Sequence, residues 1–187
     1  PVEETSVAEA QAHFDVNYFG AMRVLHAVLP AMRARRAGRI VVIGSIGGLI
    51  GLRYLGQYSA SKFAVDGLIE ALRPEIAPFG IEATIVHPGD FKTELAASGT
   101  TAASSGPGSP YWPALERAVA FYRQAEAQAR DPAVLARRID RTSPCTPDAM
   151  TATDRFDTLP TDRTLGHLTI KRWINALDLY PAKGSMK

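Results

Sequence analysis

Two short apolar runs set a helix-length apart constrain this chain most. Ile40-Val41-Val42-Ile43 shows no polar alternation, the pattern of a strand covered on both faces of a parallel sheet. Ile81-Glu82-Ala83-Thr84-Ile85-Val86-His87 is β-branched and bounded by Gly80 and Pro88-Gly89, so it reads as a second strand. Between them, Tyr58 to Ile76 carries helical spacing through Phe63, Leu68, Ile69, Leu72 and Ile76. A helix also precedes the first strand. The order helix, strand, helix, strand predicts right-handed crossovers and an α/β fold built on a doubly wound parallel sheet.

The leading helix is announced by Ser6-Val7-Ala8-Glu9, which has the form of a capping box. Val7, Ala10, Phe14, Tyr18, Ala21, Leu25, Val28 and Met32 then recur at three- or four-residue steps, as one long amphipathic helix. Pro30 is expected to kink or end it, because the ring removes a donor and crowds the preceding turn. Arg33, Arg35 and Arg36 give it a solvated basic end, and Gly38 is the expected stop. Gly47, Gly48, Gly51 and Gly56 predict a loop after the first strand, and Pro74 is expected to disturb the last turns of the second helix. Beyond the second strand, 96–113 reads as a loop, 114–130 and 132–141 as helices, and Leu168 to Leu179 as a last helix with Trp173 on its buried side. Residues 142–165, rich in Thr, Asp and Pro, yield no assignment.

Composition narrows the function classes. Of 187 residues, 46% are hydrophobic and 21% charged, within the range of one globular domain. A formal charge of +2 is too small for a phosphate-tracking surface, so nucleic acid is not an expected partner. No apolar stretch approaches the ~18 residues a membrane span needs. The acidic start Pro1-Val2-Glu3-Glu4 is unlike a signal peptide. The single cysteine, Cys145, closes no intramolecular disulfide and has no nearby base, which leads to the expectation of a reducing cytoplasm. His13, His26 and His87 lack ligand spacing to any acid or Cys, so no metal site is expected and structural or surface roles are.

Tyr58 and Lys62 stand at i and i+4, neighbours on one helical face, and Ser45 lies at the C-terminal end of a strand, where open α/β sheets place their ligands. Lowering a phenol pKa from about 10 to about 7 takes about 4 kcal/mol. A Lys charge ~4 Å away at an effective dielectric near ~20 supplies about that much. Tyr58 then exchanges a proton with an alcohol or carbonyl while Ser45 hydrogen-bonds the same oxygen. Read alone, the pair fits a half-exposed Tyr and a surface Lys better, and context must decide. Asn17 falls on the apolar stripe of the first helix and needs partners there, either backbone or a water beside Lys62 that it helps to fix. Pro88-Gly89-Asp90-Phe91-Lys92-Thr93 makes a rigid turn at the second strand end, with Thr93 either bonding an amide-bearing ligand or capping its own loop.

Taken together, Asn17, Gly44-Ser45-Ile46-Gly47-Gly48, Tyr58-x-x-x-Lys62 in its Ser-Ala-Ser-Lys-Phe-Ala setting, and Pro88-Gly89-x-x-x-Thr93 resemble the short-chain dehydrogenase/reductase family from about Pro1 to Leu95. Ala77-Pro78-Phe79-Gly80-Ile81 and the Gly44–Gly48 segment are similar to the hydroxysteroid- and retinol-type branch. The resemblance implies a Rossmann-like fold with Tyr58 as catalytic acid/base and Lys62 tuning it and binding the nicotinamide ribose. It implies that Ser45 orients the substrate oxygen, that Asn17 holds a relay water, and that Pro88, Gly89 and Thr93 contact the nicotinamide end of NAD or NADP. It also implies an apolar secondary alcohol or ketone as substrate, and a homodimer or homotetramer packed through the helices bearing Asn17 and Tyr58.

Family members begin with Thr-Gly-x-x-x-Gly-x-Gly and carry a later Asn-Asn-Ala-Gly, and this sequence contains neither. About three βα units, on the order of 90 residues, are therefore expected to belong upstream, and 1–187 reads as the catalytic half of a longer enzyme. Within it, 1–95 is the expected catalytic core, 96–141 the expected substrate lid (with Tyr111-Trp112 and the next helix either covering substrate or packing the core), and 142–187 a divergent C-terminal region. Two other readings stand beside the dehydrogenase: a nucleotide-sugar epimerase or dehydratase sharing Ser and Tyr-x-x-x-Lys, and a non-catalytic remnant that dimerises through its first two helices.

Overall fold

The computed structural model describes residues 1–141. The expected helix at 168–179, the unassigned stretch at 142–165 and Cys145 all lie outside the described residues. The element order is α1 (Val7–Phe14), a π-helical turn (Asp15–Phe19), α2 (Gly20–Arg35), β1 (Gly38–Ile43), a 3-10 turn (Ile46–Gly48), α3 (Gly56–Ile76), a 3-10 turn (Ala77–Phe79), β2 (Ile81–Val86), α4 (Leu95–Ser98), α5 (Trp112–Ala127) and α6 (Ala133–Arg141). The strands β1 and β2 pair in parallel, Gly38 opposite Ile81 through Ile43 opposite Val86, with α3 in the crossover. The expected α/β arrangement with a parallel sheet is what forms.

The core lies between this ribbon and the helices. Leu25 of α2, Ile40 of β1, Ile81 and Ile85 of β2, and Val65, Ile69, Leu72 and Ile76 of α3 are buried together, with Tyr18, Leu29 and Met32 packed against them. Each large aliphatic side chain so covered contributes about 1.5–3 kcal/mol over leaving it in water. The α3 residues recur at steps of four, three and four, which is why a single face of that helix is dry. On β1 the burial is one-sided: Ile40 is buried, whereas Ile43 is 46% exposed. The expected two-sided cover of β1 is not present, because no described element lies over its outer face.

The first helical run departs from the expected straight helix. The capping box forms, with Ser6 Oγ accepting Glu9 N–H at 3.2 Å and Glu9 Oε2 accepting Ser6 N–H at 2.8 Å. The interruption then comes at the π turn and not at Pro30, which sits inside α2. Pro74 likewise lies inside α3. Both prolines are exposed, and neither helix ends at its proline. The chain leaves α2 at Arg36, left-handed at φ 52°, two residues before the expected stop at Gly38. Gly80 (φ 67°) turns the chain into β2, and a Cβ there would lie 2.6 Å from Arg36 O. Glycine is required at that crossing.

Candidate active site

The site forms where the two strands end side by side. The strand pairing runs on past the sheet through Gly44 N–H to Val86 O at 2.7 Å and Ile46 N–H to Pro88 O at 3.2 Å. Ser45 stays extended, and its buried hydroxyl oxygen accepts Gly47 N–H at 3.0 Å, capping the 3-10 turn. The Tyr58 phenol, brought in by the first turn of α3, comes up beside the Ser45 side chain. Gly47 makes room for that meeting, since a Cβ there would stand 2.9 Å from Tyr58 Cε1 and 3.4 Å from Ser45 Oγ. One turn along, Lys62 Nζ lies over the Tyr58 ring, 5.8 Å from its centroid, and reaches Ile43 O at 3.4 Å.

Asn17 sits in the middle of the π turn, a device that recurs at functional sites because the extra residue re-aims side chains. Its Nδ2 donates to Ser61 Oγ at 2.9 Å, and Ser61 Oγ donates to Tyr58 O at 2.7 Å. Asn17 therefore has a side-chain partner in Ser61 through its Nδ2. Ser61 is fully buried between Tyr58 and Lys62 and is a positioning residue that sequence reasoning passed over. The signal was present in Tyr58-Ser59-Ala60-Ser61-Lys62: small residues on a helix permit close approach of a neighbouring helix.

The electrostatics differ from the expectation that Lys62 makes Tyr58 acidic. Burial pushes the Tyr58 phenol above its ordinary range, the Ser45 side chain works against that, and the Asp90 carboxylate adds to the rise. Burial in turn lowers the Lys62 ammonium. The geometry gives the reason. Nζ stands over the ring and is turned to the Ile43 carbonyl, and so supplies little of the pairing that a contact at the hydroxyl would give. The Asp90 carboxyl is itself raised by partial desolvation and by Glu126.

A second, buried pair backs the site. His87 Nε2 meets Asp66 Oδ1 at 2.7 Å and Oδ2 at 2.9 Å, joining the end of β2 to α3 one turn beyond Lys62. His87 is thus a structural residue, as expected, while His13 and His26 are exposed. The same carboxylate abuts the glycine turn, where a Cβ on Gly48 would lie 2.9 Å from Asp66 Oδ2.

Pro88 and Gly89 are half-buried beside the 3-10 turn, but Thr93 lies farther along, on a segment held by α5. The Thr93 hydroxyl donates to Glu126 Oε1, Leu95 N–H donates to the same oxygen at 3.1 Å, and Lys92 N–H donates to Arg130 O at 2.8 Å. Glu126 is 9% exposed. It was legible as an anomaly: Leu115, Val119, Tyr122 and Glu126 share one stripe of α5, so an acid stands in an apolar row.

These residues suit the nicotinamide half of a dinucleotide. The Lys62 ammonium is half-buried and makes one long hydrogen bond among the described residues, which leaves donors for the two hydroxyls of a ribose.

Comparison with known proteins places the chain. A family profile described as short chain dehydrogenase matches residues 1–103. Human retinol dehydrogenase 8 is 47% identical over 95 residues, covering 51% of this chain and 30% of that protein. The crystal structure of a short-chain dehydrogenase from Streptomyces avermitilis superposes with a TM-score of 0.67 at 33% identity, over 94% of this chain and 62% of the other. A protein from Beutenbergia cavernae, solved with bound NADP, gives a TM-score of 0.51 at 36% identity, over 52% of this chain and 39% of the other. The chain spans 30% of the length of this retinol dehydrogenase. With more than half of its residues inside the family profile and the strand-end site assembled, the chain belongs to the short-chain dehydrogenase family.

Proposed function

We propose that this chain carries the catalytic half of an NAD(P)-dependent oxidoreductase that interconverts an apolar secondary alcohol and its ketone. The observation that supports this reading best is the meeting of the Tyr58 and Ser45 side chains beside Gly47 at the joined ends of β1 and β2, with Lys62 on the next turn of α3. Tyr58 gives its phenolic proton to the carbonyl oxygen in reduction and takes it back in oxidation. Ser45, oriented by the Gly47 N–H, hydrogen-bonds the same oxygen and steadies the charge that develops there. Lys62 binds the nicotinamide ribose, Asn17 keeps its amide oxygen for a relay water, and Pro88, Gly89 and Thr93 hold the nicotinamide end. A bound nicotinamide supplies or accepts the hydride. The apolar character of the substrate rests on the retinol dehydrogenase relative. The 96–141 segment, pinned to the 49–55 loop by Tyr122 Oη to Arg53 O at 3.0 Å, then lies over the substrate. In the assembled protein two or four copies pack through the helices bearing Asn17 and Tyr58.

The test is reduction of ketosteroids, retinal and other apolar carbonyl compounds by the full natural chain with NADH and NADPH. Turnover with at least one pair is expected. It holds level through neutral pH, because a phenol raised above its usual range stays protonated there, while alcohol oxidation climbs as pH rises towards that pKa. No turnover with any pair by protein of verified mass overturns the reading.

A further inference from the structure

The segment after β2 is gripped from outside the strand-end site. At its Thr93–Leu95 turn, two donors converge on one oxygen of a single acid: the Thr93 O–H and the Leu95 N–H both point to Glu126 Oε1. Leu95 N–H also leans on Thr93 Oγ1 at 3.3 Å, which closes the turn on itself. Phe91 bridges to Arg130, just past the end of α5, so the helix that carries Glu126 is tied to the segment at two levels. A hydroxyl has one proton to give. Because the proton of Thr93 is committed to Glu126 and one lone pair faces Leu95 N–H, what its oxygen has left to offer a ligand is a lone pair.

We infer that Glu126 is a positioning residue that sets the hydrogen-bond polarity of Thr93, so that the site takes a ring substituent able to donate, a primary carboxamide, in preference to one that only accepts, such as a ketone. The inference rests on the cofactor reading above and goes beyond it by assigning the selection to a residue of α5 that does not itself touch the ligand. Glu126 is nearly buried, so its carboxylate is poorly served by water and holds its donors firmly. The link also makes the grip of the segment depend on α5, the helix that borders the proposed substrate side.

Two measurements on the full natural chain test it. In binding titrations, NAD and NADP are compared with their 3-acetylpyridine analogues, in which a ketone replaces the carboxamide. Wild type is expected to prefer the parent by about tenfold, the value of one hydrogen bond to a paired acceptor. Glu126→Ala lets the Thr93 hydroxyl turn and donate, and the preference shrinks to about twofold or less; Glu126→Gln, which keeps an acceptor oxygen, restores it. Thr93→Val, which needs no change in α5, also loses the preference. In the unliganded protein, hydrogen exchange at the Leu95 amide is expected to accelerate about tenfold in Glu126→Ala. A preference unchanged in Glu126→Ala or in Thr93→Val overturns the inference, as does unchanged Leu95 exchange. A wild-type chain that binds none of the four dinucleotides overturns the cofactor reading, and with it the selectivity. Accelerated Leu95 exchange in the Glu126→Ala variant of that same protein would show that the grip itself is real and that the failure lies in the cofactor assignment.

Discussion

At the scale of single residues, the site depends on how little space surrounds Tyr58. The ring lies against Gly47, its phenol on Ser45, and its backbone carbonyl on Ser61, so each neighbour fixes a different part of the residue. Gly47→Ala places a methyl 2.9 Å from Cε1, a separation that real Cβ atoms do not show. Either the ring or the turn must shift by several tenths of an ångström. Turnover is expected to fall by about tenfold to a hundredfold, on the scale by which small misplacements weaken catalysis, with the circular dichroism spectrum unchanged. Wild-type turnover would show that the glycine is dispensable. The charges act in a less local way than spacing suggests. A Lys at i+4 from a Tyr is a neighbour on the helix, but where Nζ settles within that neighbourhood decides whether it tunes the hydroxyl, and here it settles over the ring and beside Ile43 O.

Between elements, the decisive contacts tie α3 to what lies on either side of it. Asn17 and Ser61 join the π turn to α3, and Asp66 and His87 join α3 to the end of β2. The second link is buried on both sides, so removing one partner strands the other. Asp66→Ala is expected to cost about 1–3 kcal/mol, the penalty for a buried polar group left unpaired. It would be read as a lower urea midpoint at unchanged slope, and an unchanged midpoint would contradict the account. These contacts also explain what could be read in advance. The strands and the helix between them were visible because apolar runs and helical spacing are local patterns, and Ser45, Tyr58 and Lys62 were visible because strand ends and helical turns fix their separations. The π turn was not, since Val7 to Met32 keeps its apolar rhythm straight through it. Nor were Ser61 and Glu126 as partners, because pairs 44 and 33 residues apart in sequence are settled by packing alone.

For the molecule as a whole, much apolar surface stands open. Val16 and Val24 on the first helical run are 74% and 62% exposed, Phe19 and Phe63 are 47% and 41% exposed, and Ile43 shows on the outer face of β1. Scattered apolar residues are ordinary, but several on the first helical run, with Phe63 on neighbouring α3, suit association. The full natural chain is expected to sediment as a dimer or tetramer, and Phe19→Lys together with Phe63→Lys to shift it to monomer; a monomeric wild type would remove the proposed contact. All of this serves one claim, that the phenol of Tyr58 moves the proton between protein and substrate oxygen. The most direct test is Tyr58→Phe in the full natural chain, followed by steady-state turnover and by titration of the nicotinamide cofactor. Turnover is expected to drop by at least about a hundredfold, the contribution of a positioned acid or base, with cofactor affinity held within about threefold. Turnover close to wild type would contradict the account.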